Sequence, residues 1–175
     1  MNKIKNNRLS KSFSIWGQFE DYEMNVISNI KKIVNSKLKG PDFQIHATLT
    51  GPLLKYDEET NLILKNLCSE TKNFKINLEC YELTKEKYTA LFIKIHESKE
   101  LLNLRLNLEQ KLKIDNSNYY PHISLYYGLV ENIKKKKIID LLPMFPENVT
   151  LKKLCLVDVD ENNNKWKILD TFNLM

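Results

Sequence analysis

Glycine and cysteine are scarce in this chain of 175 residues, which contains four glycines and three cysteines. So few glycines argue against the glycine-rich turns that cradle phosphate in dinucleotide-binding and P-loop proteins. Cys68, Cys80 and Cys155 are odd in number and widely separated, so they indicate neither a disulfide framework nor a zinc site. We therefore expect free thiols in a protein of the cytoplasm.

Long apolar runs are absent as well. No segment approaches the roughly 20 apolar residues of a membrane span, and the basic, polar residues 1–12 run into no apolar stretch of the signal-peptide kind. We expect no membrane association, a basic N-terminal tail over 1–12 and a single domain over 13–175. The net charge of +5 favours anionic ligands without marking a dedicated nucleic-acid binder.

Apolar periodicity predicts helices and strands that alternate along the chain. Each half of the chain has a helix leading into a strand with a His two residues before a hydroxyl residue. This doubling predicts an α+β fold of two similar lobes that face a shared cleft. The predicted helices begin near residues 21, 57, 98 and 132, and the predicted strands cover 13–16, 44–50, 74–83, 88–95, 120–127, 150–157 and 166–172.

Two of the predicted strands carry the same short motif, a His followed two residues later by Thr or Ser. Because strand side chains alternate, His46 shares one face with Thr48, and His122 shares one with Ser124, with imidazole and hydroxyl about 7 Å apart. One such motif is a weak signal, since a strand His is more often structural. Two copies with matching apolar anchors, in a chain with three histidines, indicate a catalytic pair.

Paired imidazoles suit the cleavage of a phosphodiester. One group must take a proton from the attacking water while another gives a proton to the departing alkoxide, and side chains that titrate near pH 6.5 can do both. The hydroxyls of Thr48 and Ser124 can hold the non-bridging oxygens, where negative charge gathers in the transition state. This chemistry requires no metal and no other cofactor.

The remaining histidine and the lysine run have simpler interpretations. His96 follows an apolar run and precedes a predicted helix, so we expect a loop or capping role. The lysines at 134–137 are expected to form the solvated face of a helix, with phosphate steering as the weaker alternative. A His-based metal site lacks carboxylate or thiolate partners at ligand spacing.

The segment 120–128, Tyr-Pro-His-Ile-Ser-Leu-Tyr-Tyr-Gly, resembles the second motif of the two-histidine (2H) phosphoesterases. It is most similar to the cyclic phosphodiesterase branch known from plants and yeast. The likeness extends to 14–16, to 40–51 and to the final hairpin at 154–156 and 166–174, so most of the chain is covered. The chain departs from the plant pattern at 17–19, where Gly-Gln-Phe replaces a turn with proline.

The resemblance implies a bilobal fold whose antiparallel sheets flank a central cleft, with helices outside. It implies hydrolysis of ADP-ribose 1'',2''-cyclic phosphate and of nucleoside 2',3'-cyclic phosphates, the latter giving 2'-phosphates. In that reaction His46 would protonate the leaving oxygen and His122 would activate water, while Thr48 and Ser124 bind phosphate. The partner would be a nucleotide or RNA end with a cyclic phosphate, and no protein partner is implied.

Two aromatic residues match positions near the cleft in that branch. Tyr127 matches a tyrosine close to the phosphate, and Trp16 matches a tryptophan at the cleft. A packing role explains either residue equally well.

Two other functions stay open from the sequence. Other 2H enzymes act on 2',5'-linked or cyclic signalling oligonucleotides, including viral enzymes that blunt host defence. Alternatively, the same cleft could bind an RNA end or nucleotide without turnover, with aromatic side chains stacking on bases. Binding alone does not require two proton-transfer groups, which favours the enzyme.

Overall fold

The computed structural model describes residues 12–114, 119–160 and 163–175. The basic tail predicted at 1–12 lies outside these ranges except for Ser12, where the first strand begins. The elements in chain order are β1 (Ser12–Phe19), α1 (Asp21–Leu38), β2 (Ala47–Leu53), α2 (Glu58–Glu70), β3 (Phe74–Leu83), β4 (Leu91–Ile95), α3 (Lys99–Leu112), β5 (His122–Tyr126), α4 (Asn132–Ile139), β6 (Asn148–Asp160) and β7 (Lys165–Asn173).

The seven strands of the described residues form one sheet in the order β1-β2-β5-β4-β3-β6-β7, and β6 also pairs with β1. Each of these pairings is antiparallel. One lobe contains β1, β2, β6 and β7, and the other contains β3, β4 and β5. The lobes join where β2 meets β5 and where β3 meets β6. The predicted α+β fold with antiparallel sheets is confirmed.

The helices pack on this sheet through apolar stripes. In α1 the stripe contains Ile27, Ile30 and Val34, which are all buried, and this helix contacts β5 and β1. Burying each such side chain contributes about 1.5–3 kcal/mol. The stripe therefore fixes α1 across the two lobes, beside the strand that carries the second His motif.

Polar caps define the starts of two helices. Asp57 accepts a hydrogen bond from the backbone of Thr60 at 3.1 Å and forms a capping box at the start of α2. Ser98 accepts from the backbone of Leu101 at 3.2 Å and caps α3. Such caps are each worth about 1 kcal/mol. Both helix starts agree with the sequence-based prediction.

The first motif strand begins later than predicted. β2 starts at Ala47, so His46 lies one residue before it. Two side chains donate hydrogen bonds to carbonyls of the preceding segment. His46 donates to the carbonyl of Gln44, and Gln18 donates to the carbonyl of Ile45. Those carbonyls therefore do not join the strand ladder.

Two further details differ from expectation. Lys135 is fully buried in α4 and its Nζ donates to the carbonyl of Thr84, whereas the other three lysines at 134–137 are exposed as predicted. The departure at 17–19 makes no turn, because these residues continue β1. Among the described residues, no helix is long and apolar enough to span a membrane.

Candidate active site

The two His motifs meet at the junction of the lobes. β2 and β5 share one cross-strand pair, Ala47 with Ile123, and both side chains are fully buried. Residues on either side of this pair point to the opposite face of the sheet. Continuing the antiparallel register by one residue in each direction places His46 opposite Ser124 and Thr48 opposite His122.

This register makes the two histidines diagonal neighbours on one face. Diagonal neighbours of an antiparallel pair lie about 7–8 Å apart, which leaves room for one tetrahedral anion between two imidazoles. The histidines are close enough that positive charge on His122 lowers the pKa of His46. Two side chains that lie 76 positions apart in the chain thus face one small space.

Both imidazoles are held in the same way. Nδ1 of His46 lies 2.7 Å from the carbonyl of Gln44, and Nδ1 of His122 lies 2.7 Å from the carbonyl of Tyr120. A carbonyl oxygen only accepts, so each Nδ1 carries the hydrogen and donates it. In the neutral ring the lone pair therefore sits on Nε2. Each histidine can accept a proton at Nε2 and, once protonated, can donate one from the same atom.

Burial lowers the pKa of both histidines. It lowers the pKa of His46 to about 3, an effect that the Gln44 hydrogen bond opposes in part and that the charges of His122 and Lys31 increase. Burial also lowers the pKa of His122, opposed by its hydrogen bond to Tyr120. Both rings are therefore neutral in the free site near pH 7.

Aromatic rings fix the orientation of His46. The indole of Trp16 stacks on the imidazole with centroids 3.4 Å apart and planes 6° apart, and Phe43 approaches edge-on at 6.1 Å. Trp16 is 3% exposed, so it contacts the histidine from inside the protein and offers little surface to a ligand. The indole thus acts as a wall that allows the imidazole few alternative rotamers.

The second motif is supported by two tyrosines. Ser124 is buried, donates to the backbone carbonyl of Tyr88 at 3.4 Å and forms a side-chain hydrogen bond with Tyr127. Burial raises the pKa of Tyr127 to about 12, so its phenol stays protonated and can donate. Tyr127 also stacks on Phe43 at 4.1 Å, which links the two lobes.

A buried lysine of α1 supports Phe43. Nζ of Lys31 donates to the carbonyl of Phe43 at 2.6 Å, lies 4.0 Å from the centroid of its ring and pairs with Asp42 at 3.1 Å. Burial lowers the pKa of Lys31, and the Asp42 partner opposes this. The lysine thus adds positive charge close to the space between the histidines.

The third histidine lies outside this constellation. His96 is exposed in the loop after β4, and its Nδ1 lies 3.0 Å from a carboxylate oxygen of Glu79. The predicted loop position is confirmed, while the helix cap is Ser98. Across the described ranges, no three His, Cys, Asp or Glu side chains are grouped so that they could hold a metal ion.

A family model described as the 2'-5' RNA ligase superfamily matches residues 27–163. The chain belongs to this superfamily. Membership confirms the predicted place among the 2H phosphoesterases and supports an enzyme of phosphoesterase or ligase type. The superfamily match does not distinguish the cyclic phosphodiesterase branch. No curated protein matches the chain by sequence.

Several solved structures share this fold over nearly the whole length of both chains. Escherichia coli LigT in the apo form has a TM-score of 0.65 and 14% identity, over 94% of this chain and 98% of that one. The protein TT0787 of Thermus thermophilus has a TM-score of 0.62 and 18% identity, over 93% and 97%. LigT complexed with 3'-AMP has a TM-score of 0.60 and 15% identity, over 95% and 99%.

In this 2'-5' RNA ligase superfamily protein, the structure brings together the six residues that the sequence singled out. The histidines and hydroxyls share one face, Tyr127 contacts Ser124, and Trp16 contacts His46. Sequence reasoning missed Lys31, although a signal was present. Lys31 is four residues from Ile27 and three from Val34, so it falls within the apolar stripe of α1.

Proposed function

We propose that this chain is a metal-independent cyclic phosphodiesterase of the cytoplasm, which hydrolyses ribose cyclic phosphates. Its substrates would be nucleoside 2',3'-cyclic phosphates, giving 2'-phosphates, and ADP-ribose 1'',2''-cyclic phosphate. The observation that carries this proposal is the matched pair of imidazoles, each with Nδ1 bound to the carbonyl two residues earlier and Nε2 left for proton transfer.

In the proposed reaction the cyclic phosphate lies between the two Nε2 atoms. His122 takes a proton from water as its oxygen forms a bond to phosphorus. The bond from phosphorus to the 3' oxygen breaks, and His46 gives its proton to that oxygen. The products are a 2'-phosphate and a free 3' hydroxyl. His46 ends neutral and His122 ends protonated, and solvent exchange restores the starting state.

Three neutral donors would hold the phosphate. The hydroxyls of Thr48 and Ser124 and the phenol of Tyr127 can donate to non-bridging oxygens, whose negative charge increases in the transition state. In the free site the Ser124 hydroxyl donates over a long distance, 3.4 Å, to the Tyr88 carbonyl, so redirecting this donor to phosphate costs little. The predicted loss on removing one such donor is about 10²–10³ in kcat.

The assignment of acid and base follows the family resemblance and sets an electrostatic condition. His46 must be protonated in the complex, yet its pKa in the free site is about 3. A phosphate anion beside the ring favours the imidazolium form and supplies the missing stabilisation. Substrate binding therefore precedes protonation of His46 in this mechanism.

One structural neighbour supports a nucleotide substrate. LigT is described in complex with 3'-AMP, which places a nucleotide phosphate on a protein of the same fold. An enzyme acting on 2',5'-linked or cyclic signalling oligonucleotides would use the same pair of histidines. The two functions differ in substrate, so a panel that includes both classes separates them.

The test is turnover with matched histidine variants. The wild type and the variants His46→Gln, His122→Gln and His96→Gln are incubated with adenosine 2',3'-cyclic phosphate in excess chelator, and 2'- and 3'-phosphate products are resolved. We expect 2'-phosphate from the wild type and from the exposed control His96→Gln, and a loss of about 10²–10⁴ in each site variant. Full activity in both site variants would exclude the proposed chemistry, and binding without turnover by the wild type would favour the noncatalytic alternative.

A further inference from the structure

Gln18 is a buried polar residue beside the first histidine. β1 pairs Gly17 with Ala47 of β2. Continuing this antiparallel register by one residue places Gln18 opposite His46, and opposite residues point to the same face of the sheet. Gln18 is 3% exposed, so its amide is removed from solvent next to the proposed general acid.

The amide of Gln18 holds the segment before His46 at two points. Its Nε2 donates to Oε1 of Gln44 at 3.0 Å and to the carbonyl oxygen of Ile45 at 3.4 Å. The peptide group that joins Gln44 to Ile45 lies between these two points. Its carbonyl is the one that accepts the hydrogen of Nδ1 of His46 at 2.7 Å. Gln18 therefore restrains the peptide group that orients the imidazole.

A thiol holds the other end of the same amide. Sγ of Cys155 lies 3.4 Å from Oε1 of Gln18. Burial raises the pKa of Cys155, so the thiol keeps its proton and donates to this oxygen. With Oε1 directed at the thiol, Nε2 is directed at the segment 44–45, and its two hydrogens match the two acceptors there. The buried amide thus has partners at both ends.

The family resemblance assigns no role to Gln18, because this residue lies in the segment 17–19 where the chain departs from the plant pattern. We propose that Gln18 is a positioning residue for His46. It holds the Gln44 carbonyl in the orientation that keeps the hydrogen on Nδ1 and leaves Nε2 for proton transfer. The inference rests on the proposed function and adds a residue to it. A misplacement of about 1 Å can cost about 10²-fold in rate, so a residue that acts only through His46 can still govern turnover.

The experiment follows the His46 ring and the turnover in the same variants. Gln18→Met keeps a long side chain and removes both hydrogen-bonding groups. Gln44→Ala removes the accepting amide oxygen at an exposed position and keeps the backbone carbonyl. The matched control is Gln110→Met, the same change at an exposed glutamine of α3. We would measure kcat and KM for adenosine 2',3'-cyclic phosphate and the nitrogen NMR shifts of the His46 ring at pH 7, where the ring is neutral and the shifts report its tautomer.

We expect the wild type and Gln110→Met to carry the ring hydrogen of His46 on Nδ1 alone. Gln18→Met should show a mixture of the two tautomers and lose about 10- to 100-fold in kcat, with KM within about threefold. Gln44→Ala keeps the bond from Gln18 to the Ile45 carbonyl, so it should show a smaller change of the same kind. It also decides the matter if Gln18→Met does not fold. A single Nδ1 tautomer in every folded variant, or full kcat in Gln18→Met, would overturn the positioning role.

A double-mutant cycle separates positioning from a general loss of structure. If Gln18 acts through His46, adding Gln18→Met to His46→Gln should lower kcat by less than about threefold beyond the effect of His46→Gln alone. A further loss as large as the one that Gln18→Met causes in the wild type would indicate an independent structural effect and overturn the proposal.

The two proposals fail separately. If the wild type does not hydrolyse the cyclic phosphate, the proposed function fails, and the tautomer of His46 still tests the positioning role. In that case a mixture of tautomers in Gln18→Met, with Gln110→Met like the wild type, supports the role of Gln18. A single tautomer in all three proteins overturns it.

Discussion

A bound phosphate should change the protonation of His46 by a large and measurable amount. The fall in its pKa from 6.5 to about 3 corresponds to about 5 kcal/mol against the imidazolium form. A unit negative charge about 4 Å from the ring favours that form by about 4 kcal/mol at an effective dielectric constant of about 20. We therefore expect adenosine 2'-monophosphate, the proposed product, to return the pKa of His46 close to the ordinary imidazole range.

The assay is an NMR pH titration of the His46 ring, assigned by comparison with His46→Gln, in the free protein and with saturating product. Thermodynamic linkage requires that protonation of His46 strengthens product binding by the same free energy. The affinity for the product should therefore increase as pH falls below 6.5, by up to about 10³-fold for a coupling of about 4 kcal/mol. An ordinary imidazole pKa in the free protein would refute the role of burial. A low pKa that stays unchanged when the product binds would refute the placement of phosphate beside His46.

Three further predictions follow from the same site. Since the pKa of His46 is lowered on folding, stability is greatest above pH 6.5 and is lost as pH falls toward 3, so urea unfolding of the wild type should lose up to about 5 kcal/mol more over that range than His46→Gln. Because the pKa values of both histidines are lowered, kcat/KM should peak below pH 6.5, whereas kcat should peak at higher pH once phosphate is bound; coincident profiles would contradict this. Trp16→Leu should lower kcat about 10- to 100-fold by releasing the imidazole, while Trp16→Phe, which keeps a stacking ring, should stay within about threefold; equal losses in the two variants would contradict the stacking role.

The fold could be predicted because local patterns and long-range structure agree. The alternation in 74–83 marks β3, and the apolar spacing after Asp21 marks α1. The caps at Asp57 and Ser98 gave helix starts without reference to tertiary structure. The predicted start of β2 was wrong by three residues. The side chains of His46 and Gln18 form hydrogen bonds with the carbonyls of the preceding segment, so this segment does not join the strand.

The pair of motifs could be predicted from the sequence, but the contacts that hold it in place could not. A histidine two residues from a hydroxyl is visible in one dimension, whereas the register that joins Ala47 to Ile123 depends on the pairing of two distant strands. The position of Lys31 in the apolar stripe of α1 indicates that its side chain is buried, but its contact with Phe43 is made across the tertiary structure. Local spacing can therefore suggest burial without naming the partner.

The central claim is that His46 and His122 act as acid and base on one phosphate, and a change of leaving group tests it most directly. Bis(4-nitrophenyl) phosphate releases a phenolate that needs no proton, so a missing general acid matters little for it. We predict that His46→Gln loses about 10²–10⁴ in kcat/KM on adenosine 2',3'-cyclic phosphate but stays within about tenfold of the wild type on the nitrophenyl ester. His122→Gln should lose activity on both substrates. Equal losses of the two variants on both substrates, or retention of activity by both, would contradict the division of proton transfer between these two imidazoles.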